Sequence, residues 1–142
     1  MVPAHEQGLT LVEILVVLAI IAIMALIIVP NVINRPDQAR ATTAQSDVQS
    51  IAAALKIYRL DNGDYPSTAQ GLEALVSKPS GAPAAAGWTH PYLDAAPKDP
   101  WGRAYVYRSP GEKGAGFDLL SYGKDGKPGG EGVAADIAIS GN

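Results

Sequence analysis

The sequence predicts an α+β fold in which a long N-terminal helix packs its second half on a small C-terminal antiparallel β-sheet. Three observations predict it. The run Ile14 to Val29 is unbroken in its apolarity, and back to Leu9 only Thr10 and Glu13 interrupt it. Apolar residues then recur at spacings of three and four from Ala41 to Tyr58, the period of a helix with one buried face. Beyond residue 100, short segments rich in aromatic and β-branched residues alternate with Gly- and Pro-rich turns, the pattern of a sheet of hairpins.

The composition narrows the function classes. The chain has 142 residues, 47% of them apolar and 18% charged, enough for one modest domain. Eleven Lys and Arg against fourteen Asp and Glu give a net charge of −3, which leaves no electrostatic footprint for nucleic acid. Zero cysteines exclude a disulfide scaffold, a thiolate metal site and a Cys nucleophile.

At about 1.5 Å per residue, a helix over residues 9–29 spans roughly 30 Å, the hydrocarbon thickness of a bilayer. Residues 1–8 hold no Lys or Arg, and no small-x-small cleavage pattern follows Val29, so the flanks are wrong for a secretory signal peptide. The first basic residues are Arg35 and Arg40. By the positive-inside rule alone they would place the C-terminal part in the cytoplasm. Glu13 is the anomaly of this segment, because an ionisable residue at mid-membrane costs up to about 2.5–3.5 kcal/mol. It is either a functional carboxylate or one held near the interface, where the helix dipole favours an acid in the first turns.

Residues 30–62 read as an amphipathic stalk. Pro30 bends the first helix, and Asn34-Arg35-Pro36 is a second interruption with a restart at Pro36, a residue well tolerated at a first helical position. Ala41, Ala44, Val48, Ile51, Leu55 and Tyr58 form the stripe, with Arg40, Asp47 and Lys56 around it, and Asp61-Asn62-Gly63 is the stop. Residues 63–142 form the head. Ser67-Thr68-Ala69-Gln70 reads as a capping box opening a short helix through Leu72, Leu75 and Val76, ended by Lys78-Pro79. Residues 81–87 are loop, and Asp99-Pro100-Trp101-Gly102 fits a type I turn. Strands are expected at 104–108, 117–122 and 135–139, with residues 109–114 joining the first two.

Residues 123–136 contain five glycines and the carboxylates of Asp125, Glu131 and Asp136. Such a loop can turn main-chain carbonyls inward to complete the six to eight oxygens that calcium takes, although the spacing is not an EF-hand. A mobile surface loop with solvated acids is the other reading of the same residues. No catalytic motif is present and His90 sits in loop-like sequence, so no enzyme is expected; Trp88 and Trp101 read as packing residues.

Gly8-Leu9-Thr10-Leu11-Val12-Glu13, followed at once by the apolar run, resembles the processing signature of type IV pilins and type II secretion pseudopilins. The resemblance implies a leader of residues 1–8, cleavage by prepilin peptidase between Gly8 and Leu9, and N-methylation of the new Leu9 amine. In a filament that amine would neutralise Glu13 of a neighbouring subunit; the alternative is pairing with Glu13 of its own chain, one turn away. Asp61-Asn62-Gly63-Asp64-Tyr65-Pro66, Gln70 to Val76, Asp99 to Gly102, Ser109 to Glu112 and Gly123-Lys124-Asp125-Gly126 come in the order seen in major pseudopilins of type II secretion. From Gly8 to about Ile137 the chain resembles that family.

The family implies a pilin-like fold and a structural role, as main subunit of a periplasmic pseudopilus that drives export of folded proteins across the outer membrane. Implied partners are further copies of the chain, minor pseudopilins, prepilin peptidase, an inner-membrane assembly platform with a separate ATPase, and membrane lipid before assembly. The implied location is the bacterial inner membrane, crossed once, with the head in the periplasm. Calcium is implied as ligand, held by the side chains of Asp125 and Asp136 and the main-chain oxygens of Tyr122 and Lys127. Two departures stand out: Ala135 replaces a second adjacent acid, and no Trp follows Ile137. Two other readings are a type IV pilin-like subunit for adhesion, motility or DNA uptake, and a membrane-anchored extracytoplasmic binding domain.

Overall fold

The computed structural model describes the backbone of residues 8–33 and 35–142 and the side chains of residues 8–27 and 35–142. Residues 1–7, most of the expected leader, Asn34 and the side chain of Pro30 therefore lie outside the described residues. The elements are α1 (Leu11–Ile33), α2 (Arg35–Asn62), β1 (Val106–Arg108), β2 (Phe117–Ser121) and β3 (Ile137–Gly141), with 3₁₀ turns at Leu72–Leu75 and Gly132–Ala134. The chain divides into two compact units, Met1–Pro36 and Asp37–Asn142.

In the first unit, α1 continues past Pro30 to Ile33, as a bent rather than terminated helix requires. Its described apolar side chains, Leu11 to Ile27, are exposed. Ile14, the most protected of its large ones, is still 45% exposed, and Leu26 reaches 78%. Among the described residues no helix is long and apolar enough to cross a membrane. The span read at 9–29 includes Ile28 and Val29, whose side chains lie outside the described residues.

The second unit owns the core. Ala44, Val48, Ile51, Leu55 and Tyr58 are buried on one face of α2, with Ala52 and Ala54 broadening the stripe and Ala41 half-buried at its margin. Arg35 opens α2, so Pro36 falls in the first turn, where a missing N–H costs nothing. Gly63 ends it at φ +89°, donating its N–H to the Arg59 carbonyl at 2.7 Å. Against this stripe pack Tyr65, Leu75, Tyr105, Tyr107, Phe117 and Leu119 in one cluster. β1, β2 and β3 form an antiparallel meander in that order, with Tyr107 opposite Leu119 and Leu119 opposite Ile139. β2 alternates Phe117, Leu119 and Ser121 inward with half-buried residues between, the period of a strand covered on one face.

Four expected boundaries shift, three of them for a visible local reason. The capping box forms as expected: Ser67 N donates to Gln70 Oε1 at 2.9 Å and Gln70 N to Ser67 Oγ at 3.1 Å. It opens only a 3₁₀ turn, because Gly71 takes φ +63° and breaks the helical run before Leu72. β1 starts at Val106 rather than 104, since Ala104 is engaged in a bridge to Lys98 that closes the Asp99 turn. β2 stops at Ser121, one residue short. β3 starts at Ile137 rather than 135 because Ala135 N still bonds Gly132 O, and it runs on to Gly141 opposite Phe117.

The core aromatics also anchor loops. The Tyr107 hydroxyl donates to Pro66 O at 2.7 Å, the Tyr105 hydroxyl to Asp47 Oδ2 at 3.0 Å, and Trp88 Nε1 to Ala74 O at 2.9 Å. Burial holds the hydroxyls of Tyr105 and Tyr107 well above the usual tyrosine range, so both remain donors throughout the physiological range.

Candidate functional site

Two places carry the residues singled out by the sequence. At the start of α1, Gly8 and Leu9 are exposed. Glu13 Oε2 accepts hydrogen bonds from Thr10 N at 2.9 Å and Thr10 Oγ1 at 3.1 Å, while Glu13 N donates back to Thr10 Oγ1 at 3.2 Å. This is a reciprocal capping box with Thr10 at the N-cap and Glu13 three residues on. The carboxylate therefore has a partner inside its own chain that neither sequence reading supplied. The signal was present as Thr-x-x-Glu before an apolar run. Oε2 of Glu13 is the oxygen that Thr10 engages, and Oε1 accepts no hydrogen bond among the described residues.

The second place is the loop from Gly123 to Asp136. Its neck is closed by Lys124 N donating to Val133 O at 3.0 Å. Gly123, at φ +67°, lies so close to the returning limb that a Cβ there would meet Ala135 O at 2.6 Å. Asp125 Oδ1 accepts Lys127 N at 3.1 Å, and Asp136 Oδ2 accepts Gly129 N across the loop at 3.0 Å. Both carboxylates are thereby turned onto one loop with one oxygen each to spare. The main-chain oxygens of Tyr122 and Lys127 are taken by no hydrogen bond among the described residues. Also among the described residues, no three His, Cys, Asp or Glu side chains gather to hold a metal. A cation here would draw most of its shell from carbonyls and water. Two carboxylates and spare carbonyls on a Gly-rich loop are hard oxygen donors, and this set fits calcium. Ala135 adds no side-chain donor, and Glu131 is exposed.

The base of the loop holds residues that the sequence shows only as a turn. Asp99 is 4% exposed. Its Oδ1 accepts Trp101 N at 3.1 Å and Arg103 N at 2.8 Å, and its Oδ2 accepts Ser121 Oγ at 2.9 Å. Gly102 N bonds Asp99 O at 2.9 Å, closing the turn as expected from its sequence. Arg103 then sends Nη2 to the carbonyls of Gly123 and, at 3.3 Å, Lys124. On the far side Lys124 Nζ meets Asp37 Oδ2 at 2.6 Å, and Arg40 Nη1 meets Asp37 Oδ1 at 3.3 Å. The Lys124 ammonium, with Arg40 beside it, holds the Asp37 carboxyl below the usual carboxylate range. The Asp99–Ser121, Arg103–Gly123 and Lys124–Asp37 contacts join residues far apart in sequence, so no local pattern announces them. His90 is exposed and shares a hydrogen bond with Thr89 Oγ1 at 2.9 Å.

An exposed apolar N-terminal helix, capped at Thr10 and followed by a small α+β head built on a second helix, defines a pilin-like subunit. The family described as Type II secretion system (T2SS), protein G matches residues 31–140, and the Prokaryotic N-terminal methylation motif matches residues 3–29. The chain belongs to this family of type II secretion major pseudopilins. It is 54% identical over 134 residues to the Type II secretion system core protein G of Pseudomonas aeruginosa, covering 94% of each chain. With the core protein G of Escherichia coli K12 it shares 46% over 127 residues, covering 89% of this chain and 87% of the other. The crystal structure of the major pseudopilin from the type 2 secretion system of enterohaemorrhagic Escherichia coli superposes with a TM-score of 0.64 at 39% identity. That match covers 77% of this chain and 93% of the other. The family is one of structural subunits, which selects the pseudopilin among the three readings.

Proposed function

We propose that this chain is the repeating subunit of a type II secretion pseudopilus and that its polymerisation drives folded proteins across the outer membrane. The observation that carries the reading is α1, whose apolar side chains from Leu11 to Ile27 remain exposed in a chain whose head already has its own core. Apolar surface on that scale needs a cover from outside, lipid before assembly and neighbouring helices afterwards. Subunits added by a contact that does not close on itself build an open filament.

In this reading prepilin peptidase cuts between Gly8 and Leu9, and the Leu9 amine is methylated. The new ammonium of an incoming subunit meets Glu13 Oε1 of its neighbour, while Thr10 keeps Oε2. Leaving either charge buried alone would cost about 3–5 kcal/mol, which makes the pair a register device. The subunit sits in the inner membrane with its head in the periplasm. Minor pseudopilins, an assembly platform and a separate ATPase act as its partners. Calcium belongs to the 123–136 loop, where Asp125, Asp136 and the carbonyls of Tyr122 and Lys127 would hold it; bound there, it would tie the two limbs of the loop together.

The test is the intact mass of the membrane-extracted protein. The expected mass is that of residues 9–142 plus one methyl group, with loss of filaments in Glu13→Gln. The full-length mass, or normal filaments from Glu13→Gln, overturns the reading.

A further inference from the structure

The geometry points to Arg103 as a positioning residue for the 123–136 loop: its guanidinium sets the loop's entry limb, and so the calcium donors, before any cation arrives. The inference rests on the calcium reading above for its second half only.

Arg103 is itself fixed. Its N–H donates to the buried Asp99 carboxylate, its carbonyl accepts Asp99 N at 2.7 Å, and the neighbouring Lys98–Ala104 bridge closes the turn beneath it. From that base the guanidinium reaches the carbonyls of Gly123 and Lys124. Gly126 packs on its other side, where a Cβ would stand 2.7 Å from Nη1. The same Asp99 also holds Ser121 Oγ, which accepts Gly123 N at 3.3 Å. Both ends of the Gly123 residue are thus referred to one buried carboxylate, its N–H through Ser121 and its carbonyl through Arg103. Asp125 lies just beyond this segment and Tyr122 just before it, so the backbone that presents two of the expected ligands is the one Arg103 holds. A cation bound to spare carbonyls and carboxylates gains most when those groups need no reordering. Lys124, bonded to Asp37, pins the same segment from the side of α2.

The test uses the processed full chain in detergent, with hydrogen exchange measured without calcium and calcium affinity measured by titration. Arg103→Ala is expected to speed exchange of the 123–136 amides about tenfold while β2 amides stay protected, and to raise the calcium Kd about tenfold, as for loss of one charge-assisted hydrogen bond. Arg103→Lys, which keeps the charge but not the fork, should fall between the two. Unchanged loop exchange in Arg103→Ala overturns the brace. A looser loop with an unchanged Kd overturns the coupling to calcium. Should the wild type bind no calcium, the calcium reading fails by itself, and the exchange data alone decide the role of Arg103. If Arg103→Ala does not fold, Arg103→Lys alone decides: loop exchange unchanged from wild type in it overturns the brace.

Discussion

The same residue types meet opposite fates in the two units of the chain. In the second unit, Leu55, Leu75 and Leu119 are fully buried, while in α1 every large apolar side chain from Leu11 to Ile27 stays exposed. The head satisfies its hydrophobic surface from within. The N-terminal helix is held locally, by its own backbone ladder and the Thr10–Glu13 box, and must find its remaining stabilisation in another medium or molecule. A hydrophobic pattern thus states that a surface will be covered, and the fold decides by what.

The strongest way to break this contrast is to truncate one large apolar side chain on each side. Leu119→Ala should destabilise the head by about 2–5 kcal/mol, through lost transfer energy and a residual cavity. Ile21→Ala should leave head unfolding within about 0.5 kcal/mol of wild type and act on filament formation instead. Denaturant unfolding of the detergent-extracted chain measures both, and a destabilised head in Ile21→Ala would contradict a core complete within the head.

A second measurement sharpens the contrast inside the head, between its self-sufficient core and the 123–136 loop proposed to hold calcium. With calcium at a hundred times its Kd, binding should add about 2.7 kcal/mol, so a chelator should lower the melting temperature by several degrees. Identical melting curves with and without calcium would remove the proposed site.

The smallest effect concerns the Asp37–Lys124 contact at the margin of the head. Because Lys124, aided by Arg40, lowers the folded-state pKa of Asp37 below its unfolded value, the contact contributes fully above the ordinary aspartate pKa. Its contribution is lost as the pH falls through the depressed folded value. Asp37→Asn should therefore melt slightly below wild type at neutral pH, with the two curves converging below about pH 4. A constant gap down to acid pH would assign the difference to something other than charge.

Much of this architecture was legible in the residues. The α2 stripe, its Gly63 stop, the Ser67–Gln70 box and the Asp99 turn arise from spacings of a few residues, where local geometry and sequence speak the same language. The strand ends were less so, because they depend on what the neighbouring turn does with its last amide, as Ala135 and Ala104 illustrate. Asp99, Ser121, Arg103 and Lys124 were the hardest to foresee. Each looks like an ordinary polar residue until folding brings it beside a partner some twenty or more positions away. Thr10 belongs to a different class, since Thr-x-x-Glu before an apolar run is a local capping motif that stands in the sequence itself.

The hydrogen bond that seats the Trp88 indole on Ala74 has a practical corollary. The chain's two tryptophans are Trp88 and Trp101, both in the head, and α1 contains no aromatic residue. Indole emission is consequently a selective optical reporter of the head, silent towards whatever surrounds the N-terminal helix. Trp88→Phe and Trp101→Phe would divide that light between the 3₁₀ corner and the turn that carries Arg103.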